Sequence, residues 1–143
     1  MTDQASYERW VVGSYELVGV SGSLLPARAL AITGDDRHVA QCRILSGTMR
    51  LAADSRYETE ITAEYDGPSE VTYTQTVLEW GTWRFVSSGL TGPSGAILLN
   101  SQHGNSVSAA LTGVSLIHHA PVQMRSVQWT LTNWVYLRRA QTA

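Results

Sequence analysis

The sequence predicts an all-β domain, a closed antiparallel up-and-down barrel of about eight to ten strands preceded by a short N-terminal helix. Three observations carry that expectation. Hydrophobicity alternates with period two along most of the chain, the connections are short and carry Gly, Asp, Asn or Ser, and no convincing helical period follows Gly13. The 143 residues fit one domain, residues 1–143.

The helix is expected first. Thr2 or Asp3 can cap it, Tyr7, Trp10 and Val11 share a face, and Gly13 stops it. Strands are then expected at Gly13 to Val20, Arg28 to Thr33, His38 to Leu45 and Thr48 to Ala53. The clearest strand is Arg56 to Tyr65: Arg56, Glu58, Glu60, Thr62 and Glu64 alternate with Tyr57, Thr59, Ile61, Ala63 and Tyr65. Asp66-Gly67-Pro68 makes a turn. A long strand follows from Glu70 through Val77 to Phe85, with Gly81 marking a bulge or bend that helps a barrel close. Ala96 to Asn100, Ser106 to Leu111, Val114 to Ile117 and Ser126 to Arg138 complete the meander. A sheet this long must deal with its edges, and closure removes them, although a two-sheet sandwich is the alternative. The pattern Gly, hydroxyl, large apolar, charge, large apolar begins at Gly13, Gly47 and Gly81, a faint echo consistent with repeated strand starts.

Composition excludes several roles. A net charge of −2 and charged residues at 15% leave no basic footprint for nucleic acid or an anionic membrane. All ten basic residues are arginine, which we read as genomic base composition. The single cysteine, Cys42, allows no intrachain disulfide and reads as a small buried hydrophobe. Residues 1–15 lack the apolar core of a signal peptide, and no apolar run is long enough to span a membrane as a helix, so a cytoplasmic location is expected. Neighbouring His118 and His119 would point to opposite faces of a strand, so no metal is expected, and no phosphate loop or nucleophile elbow suggests a cofactor.

Gly13-Ser14-Tyr15 resembles the Gly-x-Trp strand start of lipocalins and related calycin barrels, with Tyr in place of Trp. The final run, Trp129 to Leu137 followed by Arg138 and Arg139, is similar to their closing strand and basic residue. The Thr-Asp-Tyr signature and a long C-terminal helix are absent. The chain is equally similar to small bacterial barrels of the allene-oxide-cyclase-like kind, including polyketide cyclases. That resemblance implies a cavity that shapes a linear hydrophobic substrate.

If odd positions face inward, the interior receives Tyr57, Thr59, Ile61, Val71, Tyr73, Gln75, Val77, Glu79, Trp83 and Phe85. The last strand adds Trp129, Leu131, Asn133, Val135 and Leu137, and Tyr15, Leu17, Met49 and Leu51 join them. Glu79 and Tyr73 are the candidate catalytic residues. A carboxylate among aromatics is desolvated and suits a general acid or base, unless Glu79 sits solvated at the rim or pairs with Arg. Tyr57, Gln75, Trp83, Phe85, Trp129, Leu131, Asn133 and Met49 are candidate substrate contacts. Their apolar walls would order a flexible chain, and their amides and phenols would orient a carbonyl.

Three functions are open: a cofactor-free cyclase of polyketide-type metabolism, a non-catalytic carrier or sensor of an apolar ligand, and a filled barrel that acts through its surface. The expected partner is a hydrophobic small molecule, with no nucleic acid and no membrane. Exposed Trp80, Trp134 or Tyr136 would mark the face of a possible homodimer.

Overall fold

A computed structural model describes residues 10–33, 38–66, 72–87, 94–102, 104, 106–124 and 127–139. The expected N-terminal helix falls mainly on residues 1–9, outside the described residues. The strands are β1 (Gly13–Val20), β2 (Ser23–Leu24), β3 (Ala27–Thr33), β4 (His38–Leu51), β5 (Arg56–Asp66), β6 (Thr72–Ser87), β7 (Ser94–Ser101), β8 (Ser106–Thr112), β9 (Ser115–His118), β10 (Gln123–Met124), β11 (Val127–Trp129) and β12 (Trp134–Arg138).

Eight of them close a ring in the order β1, β4, β5, β6, β7, β8, β9, β12, every pair antiparallel. Closure satisfies the backbone groups that an open sheet would leave at its edges. The ring is made possible by β4, which changes neighbours along its length. Its first half pairs with β3, from Thr33↔His38 to Ala27↔Ile44, and its second half pairs with β1, from Glu16↔Thr48 to Gly13↔Leu51.

Two register shifts tune the inward faces. Between Ile44 and Ser46 the β4–β5 ladder slips, so Cys42 and Ile44 face the interior before it and Met49 and Leu51 after it. Residues 38–53 were expected as two strands; the bulge lets one long strand run through instead. A shift between Leu17 and Gly19 does the same in β1, where Tyr15 and Leu17 give way to Val20.

Gly81 is not a bulge. The β5–β6 ladder runs without a slip from Arg56↔Thr82 to Asp66↔Thr72. Glycine is required there because a Cβ would overlap the carbonyl of Asn100 on β7. Just there β6 changes partners, pairing with β5 up to Thr82 and with β7 from Gly81 onward.

The strand expected over residues 126–138 is broken in two. Residues 130–133 cross from the overhang to the barrel, with Asn133 at φ 53°. Thr130 N–H donates to the Leu30 carbonyl, and Ser21 Oγ donates to the Thr132 carbonyl. The crossing reverses the inward parity. Trp134 and Tyr136 are fully buried, whereas Asn133 and Leu137 are exposed and Val135 is half-buried. The expected dimer face on Trp134 and Tyr136 is therefore barrel core.

The first halves of β4 and β6 and the second half of β5 continue beyond the ring. With β3, β11 and β10 they form an overhanging sheet that curls until β10 lies against β6 without a ladder between them. Ala29, Ala31, Cys42, Ala63, Tyr65, Met124, Val127 and Trp129 fill its concave side. Among the described residues no helix is long and apolar enough to cross a membrane.

Candidate functional site

The barrel has two ends of opposite character. At the first, β1 begins and β12 finishes. Arg138 on β12 donates to the carbonyls of Trp10 and Val12, and its guanidinium carbon lies 4.4 Å from the Trp10 ring centroid. Tyr15 Oη donates to the Val11 carbonyl at 2.7 Å. Trp83, on the wall at this end, donates its indole N–H to the Ala52 carbonyl at 2.9 Å. Phe85, Leu51, Ile97 and Leu111 pack among these groups, completely buried. The buried polar atoms named here are satisfied, so this end is closed core.

The second end differs. Thr59, Glu79 and His118 are the buried polar and charged residues of the described chain, and all three line one chamber there. Glu79 is 5% exposed, and Ser101 Oγ donates to its carboxylate. Thr59 stands directly opposite Glu79 in the β5–β6 ladder. Tyr57 also lines the chamber; burial pushes its phenol up to about 12, the Glu79 charge adds to the rise, and a hydrogen bond with Ser101 opposes it. Tyr136 comes from β12, its phenol raised by burial alone.

His118, 5% exposed, completes the set, and its Nδ1 has no hydrogen-bond partner. Burial holds its pKa below the ordinary 6.5; the Ala120 backbone opposes this and neighbouring His119 adds to it. His118 is therefore a neutral imidazole at neutral pH, with one ring nitrogen available. His119 points outward and bonds Asn133 Oδ1 at 3.0 Å.

Met49, Leu99 and Val107 form the apolar wall, and Val122, Gln123 and Met124 form the cover. The free volume is about 40 Å³. That is the scale of one or two water molecules, well below the roughly 300 Å³ at which ligand pockets begin. The cover is lightly held: β10 has two register pairs to β11, Gln123↔Gln128 and Met124↔Val127. Met124 is the side chain that plugs the chamber from this strand, and methionine repacks readily.

The structure brings together only part of the set expected from sequence. Glu79, Tyr57 and Met49 meet in the chamber. Trp83 and Phe85 are buried at the closed end, and Trp129 is buried under the overhang, 5.9 Å from Trp134. Leu131 lines a separate open groove with Arg28, Arg43 and Asp66. Tyr73 is a correction: it is 53% exposed, stacked on Tyr65 with centroids 5.4 Å apart. It lies six positions along β6 from Glu79, about 20 Å of strand, because β6 overhangs the barrel there. Gln75 is exposed on the same overhang, and Asn133 is exposed at the crossing.

Ser101, His118, Tyr136 and Met124 also line the chamber, although none of them is a site residue expected from sequence. His118 had a usable signal, since Leu116 and His118 share a face by the two-residue period. Met124 had none: a two-residue strand leaves no periodicity.

No protein-family model, curated protein or solved structure matches this chain.

Proposed function

We propose that this barrel binds a small, mostly apolar molecule in the chamber beneath β10 and promotes its cyclisation by moving protons between the ligand and the side chains of Glu79 and His118. The observation that carries the reading is the gathering of Thr59, Glu79 and His118 in one chamber walled by Met49, Leu99, Val107, Val122 and Met124. Burying a polar group is costly unless it is hydrogen-bonded, as one His118 nitrogen is not, and perturbed titratable groups concentrate at functional sites. A carboxylate fed by a serine hydroxyl and a neutral imidazole are a base and a second proton carrier, while the protonated Tyr57 phenol can donate to a developing oxyanion. The ligand takes the space of Met124, whose strand is held by a short ladder, and the chamber's size favours a compact molecule over a long chain.

The second reading is a carrier, favoured by the apolar wall of Met49, Leu99, Val107 and Met124. One experiment separates them. Tryptophan fluorescence of the wild type and of Met124→Ala is titrated with short apolar compounds that bear one carbonyl or hydroxyl. Products are followed by mass spectrometry and NMR. Saturable binding that tightens in Met124→Ala and weakens in His118→Leu supports the chamber. Product formation that stops in Glu79→Gln supports the cyclase, and binding without product supports the carrier. Absence of binding in both proteins overturns both.

A further inference from the structure

The overhanging part of β6 is an edge. Residues 72–77 pair with β5 on one side and, among the described residues, with no strand on the other. Thr72, Tyr73, Thr74, Gln75 and Thr76 are all exposed, on both faces of the strand. An edge of this kind presents a row of backbone donors and acceptors. Proteins ordinarily blunt such an edge with Lys, Pro, a bulge or extreme shortness. β6 has none of these over 72–77. The two strands that end the sheet order, β2 and β10, are two residues each.

We propose that this edge pairs with the same edge of a second copy of the chain, antiparallel across a two-fold axis at Thr74. Three features select the occupant. Thr-Tyr-Thr-Gln-Thr is nearly symmetric about its centre, so the axis sets Thr72 opposite Thr76, Tyr73 opposite Gln75 and Thr74 opposite itself. The three threonines lie on one face, where the chain already makes such a contact: Thr62 Oγ1 and Thr76 Oγ1 are 2.9 Å apart. The second copy extends that row through its own Thr72. Residues 72–77 also carry no charge, so the edge fits an equally neutral strand, and a chain of net charge −2 meets its copy at a point free of repulsion. Tyr73, packed on Tyr65 by one ring face, gains the Gln75 of the second copy as a neighbour. The contact is a short strand pair and belongs to the small, concentration-dependent class of interface.

Sedimentation of the full chain from about 1 µM to about 300 µM brackets micromolar association. The expected result is a shift from the 15.6 kDa monomer to a species of twice that mass. Thr74→Lys and Thr74→Glu each place like charges face to face at the axis, and each is expected to stay monomeric while keeping the wild-type circular dichroism. Mixing the two variants is expected to restore the dimer. A wild type that remains monomeric throughout, a dimer indifferent to both substitutions, or species that grow beyond two copies would overturn the proposal.

Discussion

The two ends of the barrel are built from the same kinds of residue, aromatic and aliphatic side chains with a few polar groups, yet they differ in how those polar groups are treated. At the closed end Tyr15 Oη, the Trp83 indole and the Arg138 guanidinium all end on backbone carbonyls. The Arg138 bonds hold the end of β12 to the residues before β1, and the Trp83 bond holds β6 to the turn after β4. At the chamber end Glu79, Thr59 and His118 are buried beside free volume, and one imidazole nitrogen is left without a partner. The closed end ties its polar groups to the backbone, whereas the chamber end buries them beside free volume, and the proposed function rests on that difference.

That contrast can be broken by substitution. The largest loss is expected from Phe85→Ala, a fully buried ring at the closed end, at about 4 kcal/mol in urea unfolding. A loss below about 1 kcal/mol would mean that this end is not the tight core described. Gly81→Ala follows, at about 3 kcal/mol, because the new methyl must push β7 away at the Asn100 carbonyl. A neutral result would show that the wall yields there.

The smallest effect separates the ends most sharply. The folded His118 has a pKa below the unfolded 6.5, so the unfolded chain binds the proton first as pH falls. Stability is therefore full above about 6.5 and is lost as pH drops from there through the lowered folded value. Glu79, Tyr57 and Tyr136 share the chamber, but both phenols are raised and stay protonated across this window. Denaturation midpoints measured in steps from pH about 7.5 to about 5 are expected to decline in the wild type and less steeply in His118→Leu.

Much of the barrel was legible in the sequence because a strand with one wet face advertises itself. The alternation of Arg56 to Tyr65 gives β5 and its inward face almost residue by residue, and the short polar connections imply antiparallel order. The Gly13, Gly47 and Gly81 echo also has a structural counterpart. The large apolar residues that follow each glycine, Tyr15 and Leu17, Met49 and Leu51, Trp83 and Phe85, are all buried. What could not be read was set by register and by which strands outrun the ring. The slip after Ile44 flips a face without changing composition. The overhang of β6 exposes Tyr73 and Gln75 although they keep the parity of Glu79. The crossing at 130–133 inverts Trp134 and Tyr136 relative to Trp129. Half the chamber comes from β7, β9, β10 and β12, brought there by the β6–β7 ladder, by closure and by the curl of the overhang, and no local pattern announces that Ser101 will meet Glu79.

His118→Leu, read for stability and for ligand response together, tests the central contrast most directly. Replacing a buried imidazole whose Nδ1 has no partner with an apolar side chain is expected to raise the unfolding free energy by about 1 kcal/mol at neutral pH, while the fluorescence response to chamber ligands falls away. A variant that loses stability and keeps its ligand response would show that His118 is core, and that the chamber end is built like the closed end after all.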